Sequence, residues 1–415
     1  MSAPRVVVVG GGIIGASSAY YLRKAGYDVT IVEKGKFGSA CSHGNCGYVC
    51  PSHVLPLAAP GAIWSALGSL FKKNSPLYIK PRLELTQWIW LLKFALKCNL
   101  KDMSRSAEGI HRLLQLSLQE YQNWRTAGIN CEWQDSGLLF VYRTNHEFEE
   151  YEKTDRYLRA RFDVGAVRWN RDELCQREPA VKPDVAGAWF YEGDAQLRPD
   201  VLMRSLRNWL DRQGVKILEN TACLGFRSEN GRATGVRIEQ RILPADYVVL
   251  STGAWCPRDA KALGMRIPIQ PGKGYSITMT RPATCPTRPM IFHEDRVACT
   301  VFDGSYRLGS TMEFSGYDEQ LNRNRLDILT RVAGHYLKEP TTTQIQEEWF
   351  GLRPMTYDGL PIIDFSPALS NVVVASGHGM LGISMGPGTG RLVSEMIAQT
   401  KPAIDCSCFS AARFN

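Results

Sequence analysis

The chain has no Cys-x-x-Cys pair, although it carries twelve cysteines. Cys46 and Cys50, and Cys406 and Cys408, stand close together without a histidine in a ligand pattern, so neither a structural metal site nor a disulfide framework is expected. Unrelated, reduced thiols in a cytoplasmic protein are the reading. There is no basic-then-apolar leader, so secretion is not expected. There is no run of about 18 apolar residues, so no membrane-crossing helix is expected. There is no RNA- or DNA-binding motif either. The net charge of +8 is scattered, which reads as a solvated surface rather than a nucleic-acid face. What remains is a 415-residue chain with 44% hydrophobic residues, enough for two domains and a sizeable core.

The most informative stretch lies at the start. Val6 to Val9 form an apolar run, read as a buried parallel strand. Gly10-x-Gly12-x-x-Gly15 follows at once, with Ile13 and Ile14 inside it. An apolar helix to about Lys24 comes next, closed by Gly26. A second strand, Val29 to Val32, ends in Glu33, followed by Lys34. This is a βαβ unit with an acidic tip about 20 residues past the glycines, the pattern of a dinucleotide site. Gly10 allows a tight turn, Gly12 lets the backbone approach a pyrophosphate, and Gly15 lets helix and strand pack closely. The helix N-terminus aims N–H groups at the phosphates. Glu33 suits ribose hydroxyls, which favours a cofactor without a 2′-phosphate.

Glycine loops recur after apolar strands at 10–15, 252–253 and 377–382, where ligands of such sheets bind. The nucleotide-binding domain is therefore expected to be discontinuous: residues 1–61, 187–262 and 345–415. Residues 62–186 and 263–344 would form a second domain. Within it, 62–100 is apolar (Trp64, Phe71, Trp88, Trp90, Phe94). Residues 104–127 and 146–163 read as surface helices. Residues 131–142 read as a strand pair turning at Gly137, 267–312 as antiparallel sheet and 322–338 as a helix. In the first domain, Pro199 starts a helix reaching Gly214, and Val215 to Leu218 is a strand. Asn230-Gly231 turns a meander, and a final helix runs from about Gly388 to Gln399.

Taken in order, several phrases carry a resemblance over nearly the whole chain. They are the N-terminal fingerprint, Cys41-Ser-His-Gly-Asn-Cys-Gly-Tyr-Val-Cys-Pro-Ser52, Ala59-Pro-Gly61, Ser251-Thr-Gly-Ala-Trp255 and Gly272-Lys-Gly-Tyr-Ser-Ile-Thr278. Leu308-Gly-Ser-Thr-Met-Glu313, Gly351-Leu-Arg-Pro354, Asp358-Gly-Leu-Pro361 and Gly377-His-Gly-Met-Leu-Gly382 complete them. The chain resembles the D-amino-acid oxidase superfamily of FAD enzymes, and within it the D-amino-acid dehydrogenases. The loop after Cys41 and the Ala-Pro-Gly phrase look closest to dehydrogenases of D-proline or cis-4-hydroxy-D-proline. The resemblance implies an α/β fold: a Rossmann-like FAD-binding domain with an α+β substrate domain built on antiparallel sheet. It also implies hydride transfer from the amine-bearing carbon to flavin N5, with electrons leaving to a quinone or other non-NAD acceptor. Some sarcosine-oxidising relatives bond flavin through a cysteine near the Arg-Pro stretch. Residues 345–365 contain no cysteine, so noncovalent FAD is expected.

Arg353 matches the family's carboxylate-binding arginine, and a guanidinium holds a carboxylate by two prongs. The alternative is an ion pair with a structural carboxylate such as Asp358. Tyr275 matches a phenol placed against the substrate carboxylate; alternatively it packs within the sheet. His43 and Tyr48 would line the pocket. His43 either receives the ammonium proton or bonds to backbone. Ser42, Asn45 and Gly47 would meet the flavin. Gly377, Gly379, Leu381 and Gly382 would turn backbone N–H groups toward its carbonyl side, where charge builds. His378 borders the pocket, and Met380 either does so or packs in the core. Thr252, Gly253 and Trp255 would line the cofactor groove. Cys223, read as lying in a strand, would contact adenine through its backbone.

Residues 84–98 are rich in Trp and Leu with interspersed lysines. Such a segment either lies in a membrane interface, on the inner face of a membrane, or covers the substrate domain. Its apolar residues go nearly all round, which favours burial. The rival functions are an O2-using amino-acid or sarcosine-type oxidase, an NAD-linked dehydrogenase, and a non-catalytic flavin-binding partner protein.

Overall fold

The computed structural model describes residues 3–63 and 77–415; Trp64 and Phe71 of the apolar segment lie outside the described residues. The valine run forms the strand Arg5–Val9 at the centre of a six-stranded sheet. Its order is Ile362–Phe365, Val372–Ser376, Tyr247–Leu250, Arg5–Val9, Asp28–Val32, Lys216–Leu218. All neighbours are parallel except the Ile362–Phe365 edge. The parallel strands end together: Val9 lies opposite both Val32 and Leu250, and Leu250 opposite Val374. The loops at 10–15, 33–38, 251–253 and 377–382 therefore emerge along one edge.

The fingerprint helix Ile13–Lys24 packs against the C-terminal helix Gly382–Ile397. Close approach is possible because Gly386 faces Ile13 and Gly390 lies on the Ser17 backbone, where a Cβ would overlap. On its other side the C-terminal helix receives the long helix Leu100–Thr126. Gly388 N–H donates to Ser117 Oγ (2.9 Å), and Tyr121 Oη donates to the Ile383 carbonyl (2.7 Å).

A second, nine-stranded sheet carries strands Ile345–Thr356, Ile269–Met279, Ser305–Phe314, Val297–Phe302, Met290–Phe292, Leu138–Tyr142, Gly187–Tyr191 and Val167–Asn170, with Leu77–Ile79 beside Ser305–Phe314. It is mostly antiparallel. Helix Arg323–Tyr336 covers one face.

Several expectations change. Strands Gly187–Tyr191 and Ile345–Thr356 pair into the second sheet, so those parts of 187–262 and 345–415 do not belong with the nucleotide sheet. Helix Leu100–Thr126, expected in the second domain, packs on the nucleotide side through the contacts just given. Residues 131–142 are not a strand pair: Leu138–Tyr142 finds its partners at Gly187–Tyr191 and Met290–Phe292, far away in sequence. The last helix begins at Gly382, not near Gly388. The Asn230-Gly231 meander turn is present, both residues at positive φ.

Helix Leu85–Lys97 buries Gln87 and Trp90 only. Trp90 donates to the Pro268 carbonyl (2.9 Å) and stacks on Phe94. Leu85, Trp88, Ile89, Leu92 and Leu96 are 44–73% exposed, so burial all round is not what the helix does. Among the described residues no helix is long and apolar enough to cross a membrane.

Candidate active site

The fingerprint loop is bare of side chains by necessity. A Cβ at Gly10 (φ +107°) would sit 2.5 Å from the Ser251 carbonyl oxygen, and one at Gly15 would overlap the Gly10 carbonyl. Gly12 precedes the helix, and Ile13 N–H donates to Ser42 Oγ (3.0 Å), which ties the 41–50 loop to the helix start. Ile14 follows on the first turn, with its carbonyl accepting from Ser18 Oγ (2.8 Å). Glu33 ends its strand with both carboxylate oxygens on backbone amides, Gly11 N–H at 2.7 Å and Gly35 N–H at 2.9 Å. The Lys34 ammonium lies 3.6 Å over the Trp255 ring. Thr252 and Gly253 (φ +57°) turn the chain from its strand into a short helix, and the Gly253 carbonyl accepts from Ser376 Oγ (3.0 Å). Cys223 lies in irregular chain, not a strand, because pairing in the first sheet stops at Leu218. Its segment follows Thr221, whose N–H bonds the Glu33 carbonyl (2.8 Å).

The second sheet supplies the facing wall. Strands Ile269–Met279 and Ile345–Thr356 are in regular register from Gly272↔Arg353 to Thr278↔Glu347. Period-two alternation puts Glu347, Trp349, Gly351 and Arg353 on one face, together with Gly272, Gly274, Ser276 and Thr278. Contacts agree. A Cβ at Gly274 would overlap the Arg353 guanidinium, and Cβ atoms at Gly351 and Gly44 would overlap the Trp349 ring.

Arg353 donates to two carbonyls and a sulfur: Nη1 to Thr311 O (2.6 Å) and Met312 Sδ (3.7 Å), and Nη2 to Ser310 O (3.3 Å). Burial lowers its pKa, opposed by the neighbouring Cys41 and Cys46. Among the described residues no carboxylate stands within ion-pair distance of it. Asp358, the alternative partner, pairs with Arg413 (2.8 Å) instead. Tyr275 lies on the other face. It sits opposite Phe350, is 1% exposed, and donates to Glu313 Oε2 (2.8 Å) in the core under helix Arg323–Tyr336. Its expected place against the substrate is thus corrected by parity: Gly274 shares the Arg353 face.

His43 Nε2 lies 2.7 Å from Glu347 Oε1, a partner on the facing sheet rather than the local backbone. That bond holds the Glu347 carboxyl below its ordinary range. The buried Arg307 guanidinium steadies both: Nη1 donates to the carbonyls of His43 (3.2 Å) and Asn45 (2.7 Å), and Nη2 lies 3.5 Å from Glu347 Oε2. Asn45 Oδ1 accepts from Gly47 N–H (2.8 Å), and a Cβ at Gly47 (φ +77°) would overlap the Leu197 carbonyl. Tyr48 is committed to structure, its hydroxyl within reach of the Met290 (2.7 Å) and Cys299 (3.0 Å) carbonyls.

The third glycine loop meets the same strand. Gly379 N–H donates to the Pro354 carbonyl (3.0 Å), one residue past Arg353. Gly377 and Gly379 both have positive φ. Leu381 N–H bonds the His378 carbonyl (3.0 Å), and Gly382 opens the last helix. His378 is buried, with Nε2 on Thr389 Oγ1 (2.9 Å), and burial pushes its pKa down to about 3. Met380 packs against the nucleotide-side core.

Glu347, Trp349, Arg307, Gly44 and Gly274 were not singled out from sequence. Arg307 carries a signal, a cation in an otherwise apolar and small-residue run; the others need the register. A further grouping also escaped. Cys50, His53 and Asp194 bring ligand-type atoms within 4.8 Å of one another, contrary to the absence of a histidine partner read above. Cys-x-x-His spacing was its signal. Both Asp194 oxygens already accept from Ser52, the N–H at 3.1 Å and the hydroxyl at 2.5 Å.

The residues fit a dinucleotide with a redox-active ring. The cradle is side-chain-free, and Ser276 Oγ, Thr311 Oγ1 and His378 Nδ1 are buried polar atoms without protein partners. Fold and site together define a dinucleotide-dependent oxidoreductase with a buried cation facing the cofactor loops. Residues 5–396 match the family described as FAD dependent oxidoreductase, and the chain belongs to that family, with FAD as its cofactor. It is 31% identical over 421 residues to a D-amino acid dehydrogenase of Xanthobacter autotrophicus, covering 99% of both chains. Among solved structures it is similar to glycine oxidase from Geobacillus kaustophilus (TM-score 0.78, 22% identity, 99% of both chains). It is also similar to L-proline dehydrogenase from P. horikoshii (TM-score 0.77, 20% identity, 100% and 98% of the chains). At these identities the structural likenesses speak for the fold alone.

Proposed function

We propose that the chain dehydrogenates a small D-amino acid. The observation that carries this reading is Arg353, a buried guanidinium without a carboxylate partner among the described residues, on the same strand face as Glu347 and its partner His43. FAD, when bound, supplies the hydride acceptor. Arg353 binds the substrate carboxylate and orients the α-hydrogen. His43, held by Glu347, takes the proton from the substrate ammonium. Gly10, Gly12, Gly15, Glu33, Ser42 and the 377–382 loop hold the cofactor. The relative named D-amino acid dehydrogenase supports the substrate class, and the loop after Cys41 favours D-proline or cis-4-hydroxy-D-proline. The test is an anaerobic panel of D- and L-amino acids read by loss of flavin absorbance. Bleaching by D-proline and its 4-hydroxy form supports the reading, and bleaching only by L-amino acids or sarcosine overturns it.

We assign the electrons to a quinone-type acceptor reached at a membrane surface. The exposed Leu85–Trp88–Ile89–Leu92–Leu96 stripe favours this, flanked by Lys80, Lys93, Lys97 and Lys101 that suit anionic headgroups. Flotation with anionic vesicles should carry the holoenzyme, and Leu92→Glu should release it. Peroxide release in air at the rate of turnover would favour the oxidase alternative.

A further inference from the structure

Trp349 is a large aromatic on the Arg353 face of the second sheet. Its side chain projects from the same face as Arg353, four residues earlier, yet it does not stand upright on the sheet. The ring lies over Gly351, the single same-face position between Trp349 and Arg353, and reaches Gly44 on the opposing loop, beside His43. Either glycine would collide with the indole if it carried a Cβ. The two glycines therefore fix a large aromatic plate flat between the cation and the loop. The ring remains partly exposed.

We infer that Trp349 sets the size of side chain the site accepts. This rests on the reading of Arg353 as the carboxylate anchor. A small zwitterion anchored on that guanidinium has its carboxylate fixed, so its side chain is confined to the space bounded by the neighbouring indole. A five-membered ring packs against the plate, whereas a benzyl group runs into it. A misfit of this kind in an apolar pocket is worth about 10- to 100-fold in kcat/KM.

The experiment compares D-proline with D-phenylalanine for wild type, Trp349→Phe, Trp349→Ala and Gly351→Ala holoenzymes, with the flavin spectrum as the check on folding. Trp349→Ala should raise the D-phenylalanine to D-proline ratio of kcat/KM by at least about 10-fold, carried mainly by KM, since an apolar wall acts on ground and transition states alike. Trp349→Phe should shift it less. Gly351→Ala keeps the indole but displaces it, and should move the ratio too; it decides the matter if Trp349→Ala loses flavin. Calorimetric titration with acetate and benzoate repeats the comparison without turnover, and Trp349→Ala should favour benzoate. An unchanged ratio in both Trp349→Ala and Gly351→Ala, with an active wild type, overturns this inference alone. A wild type that no D-amino acid bleaches overturns the substrate reading and this inference with it.

Discussion

Replacing Arg353 with Leu tests the centre of the argument. The guanidinium spends about three of its five N–H donors on the Thr311 and Ser310 carbonyls and the Met312 sulfur, which leaves the Nε and one Nη2 hydrogen for a ligand. In a buried site, removing one partner of a charge pair costs about 3–5 kcal/mol. At about 1.4 kcal/mol per tenfold, KM for the amino acid should rise about 10²- to 4 × 10³-fold. Carboxylate binding acts on ground and transition states alike, so kcat should change far less. Stability should move little. The variant removes donors from two carbonyls, but also removes a buried charge that lacks a carboxylate partner among the described residues, and such exchanges for apolar residues are often neutral or stabilising. Lys at 353 should recover only part of the affinity, because an ammonium lacks the planar fork. Gly274→Ala is the companion variant. It leaves Arg353 in the chain but places a methyl where the guanidinium lies, so KM should rise in the same direction. Steady-state kinetics, with the flavin spectrum confirming a folded holoenzyme, decide the matter. An unchanged KM in Arg353→Leu, or a loss confined to kcat, refutes the clamp.

His43→Asn should change the pH dependence of kcat/KM, and without its histidine donor the Glu347 carboxyl pKa should rise; a pH profile that superimposes on wild type makes His43 structural. Burial pushes the imidazoles of His53, His293 and His378 down to about 4, 3 and 3. In the unfolded chain they take protons near ~6.5, so the stability they contribute is complete above that pH and drains away as pH falls toward 3–4, by up to about 1.4 kcal/mol per pH unit each. Tm of wild type should therefore drop between pH 6.5 and 4, and His378→Gln should lessen the drop; an equal drop in that variant contradicts the assignment. Asp194 works in the opposite sense. Burial raises its carboxyl to about 7, so its contribution is complete below the ordinary aspartate range and lost as pH rises to 7, and Asp194→Asn should gain Tm relative to wild type at pH 8 but not at pH 4.

Local signals were legible. The βαβ start, its glycines and Glu33 all lie within one contiguous stretch, and each residue does what its chemistry dictates there. Arg353 was legible as a residue type in a short phrase. Tyr275 was not, because its neighbourhood reads the same whichever way the strand is turned. Only the pairing of Gly272 with Arg353 shows that position 275 falls on the far face. Glu347 gains meaning only through a histidine 304 residues earlier. Helix Leu100–Thr126 is placed by glycine-lined contact with the C-terminal helix, a long-range fit that composition does not express. The exposed stripe of Leu85–Lys97 misled in the same manner: apolar residues all round suggest burial, but packing covers one side only.

The Arg353 face is shaped by missing side chains. Residues on a strand normally stand away from the sheet, and a face filled with them would meet the 41–50 loop directly. Here Gly272, Gly274 and Gly351 share the face with Arg353 and Trp349, and Gly309 on the next strand lies under Cys46. Those glycines let the guanidinium and the indole lie down along the sheet. The loop can then approach within hydrogen-bonding distance at Glu347 and Arg307. Glycine within a strand weakens the strand and needs a compensating reason. At Gly274, Gly351 and Gly309 the overlap that a Cβ would create falls on a side chain of the site or of the loop that closes it; at Gly272 it falls on Met312, whose sulfur lies 3.7 Å from Arg353 Nη1, and on Met355. A substitution at any of them should therefore act on substrate affinity before it acts on the fold, whereas Gly390, whose Cβ would strike the Ser17 backbone in the helix layer, should act on stability first.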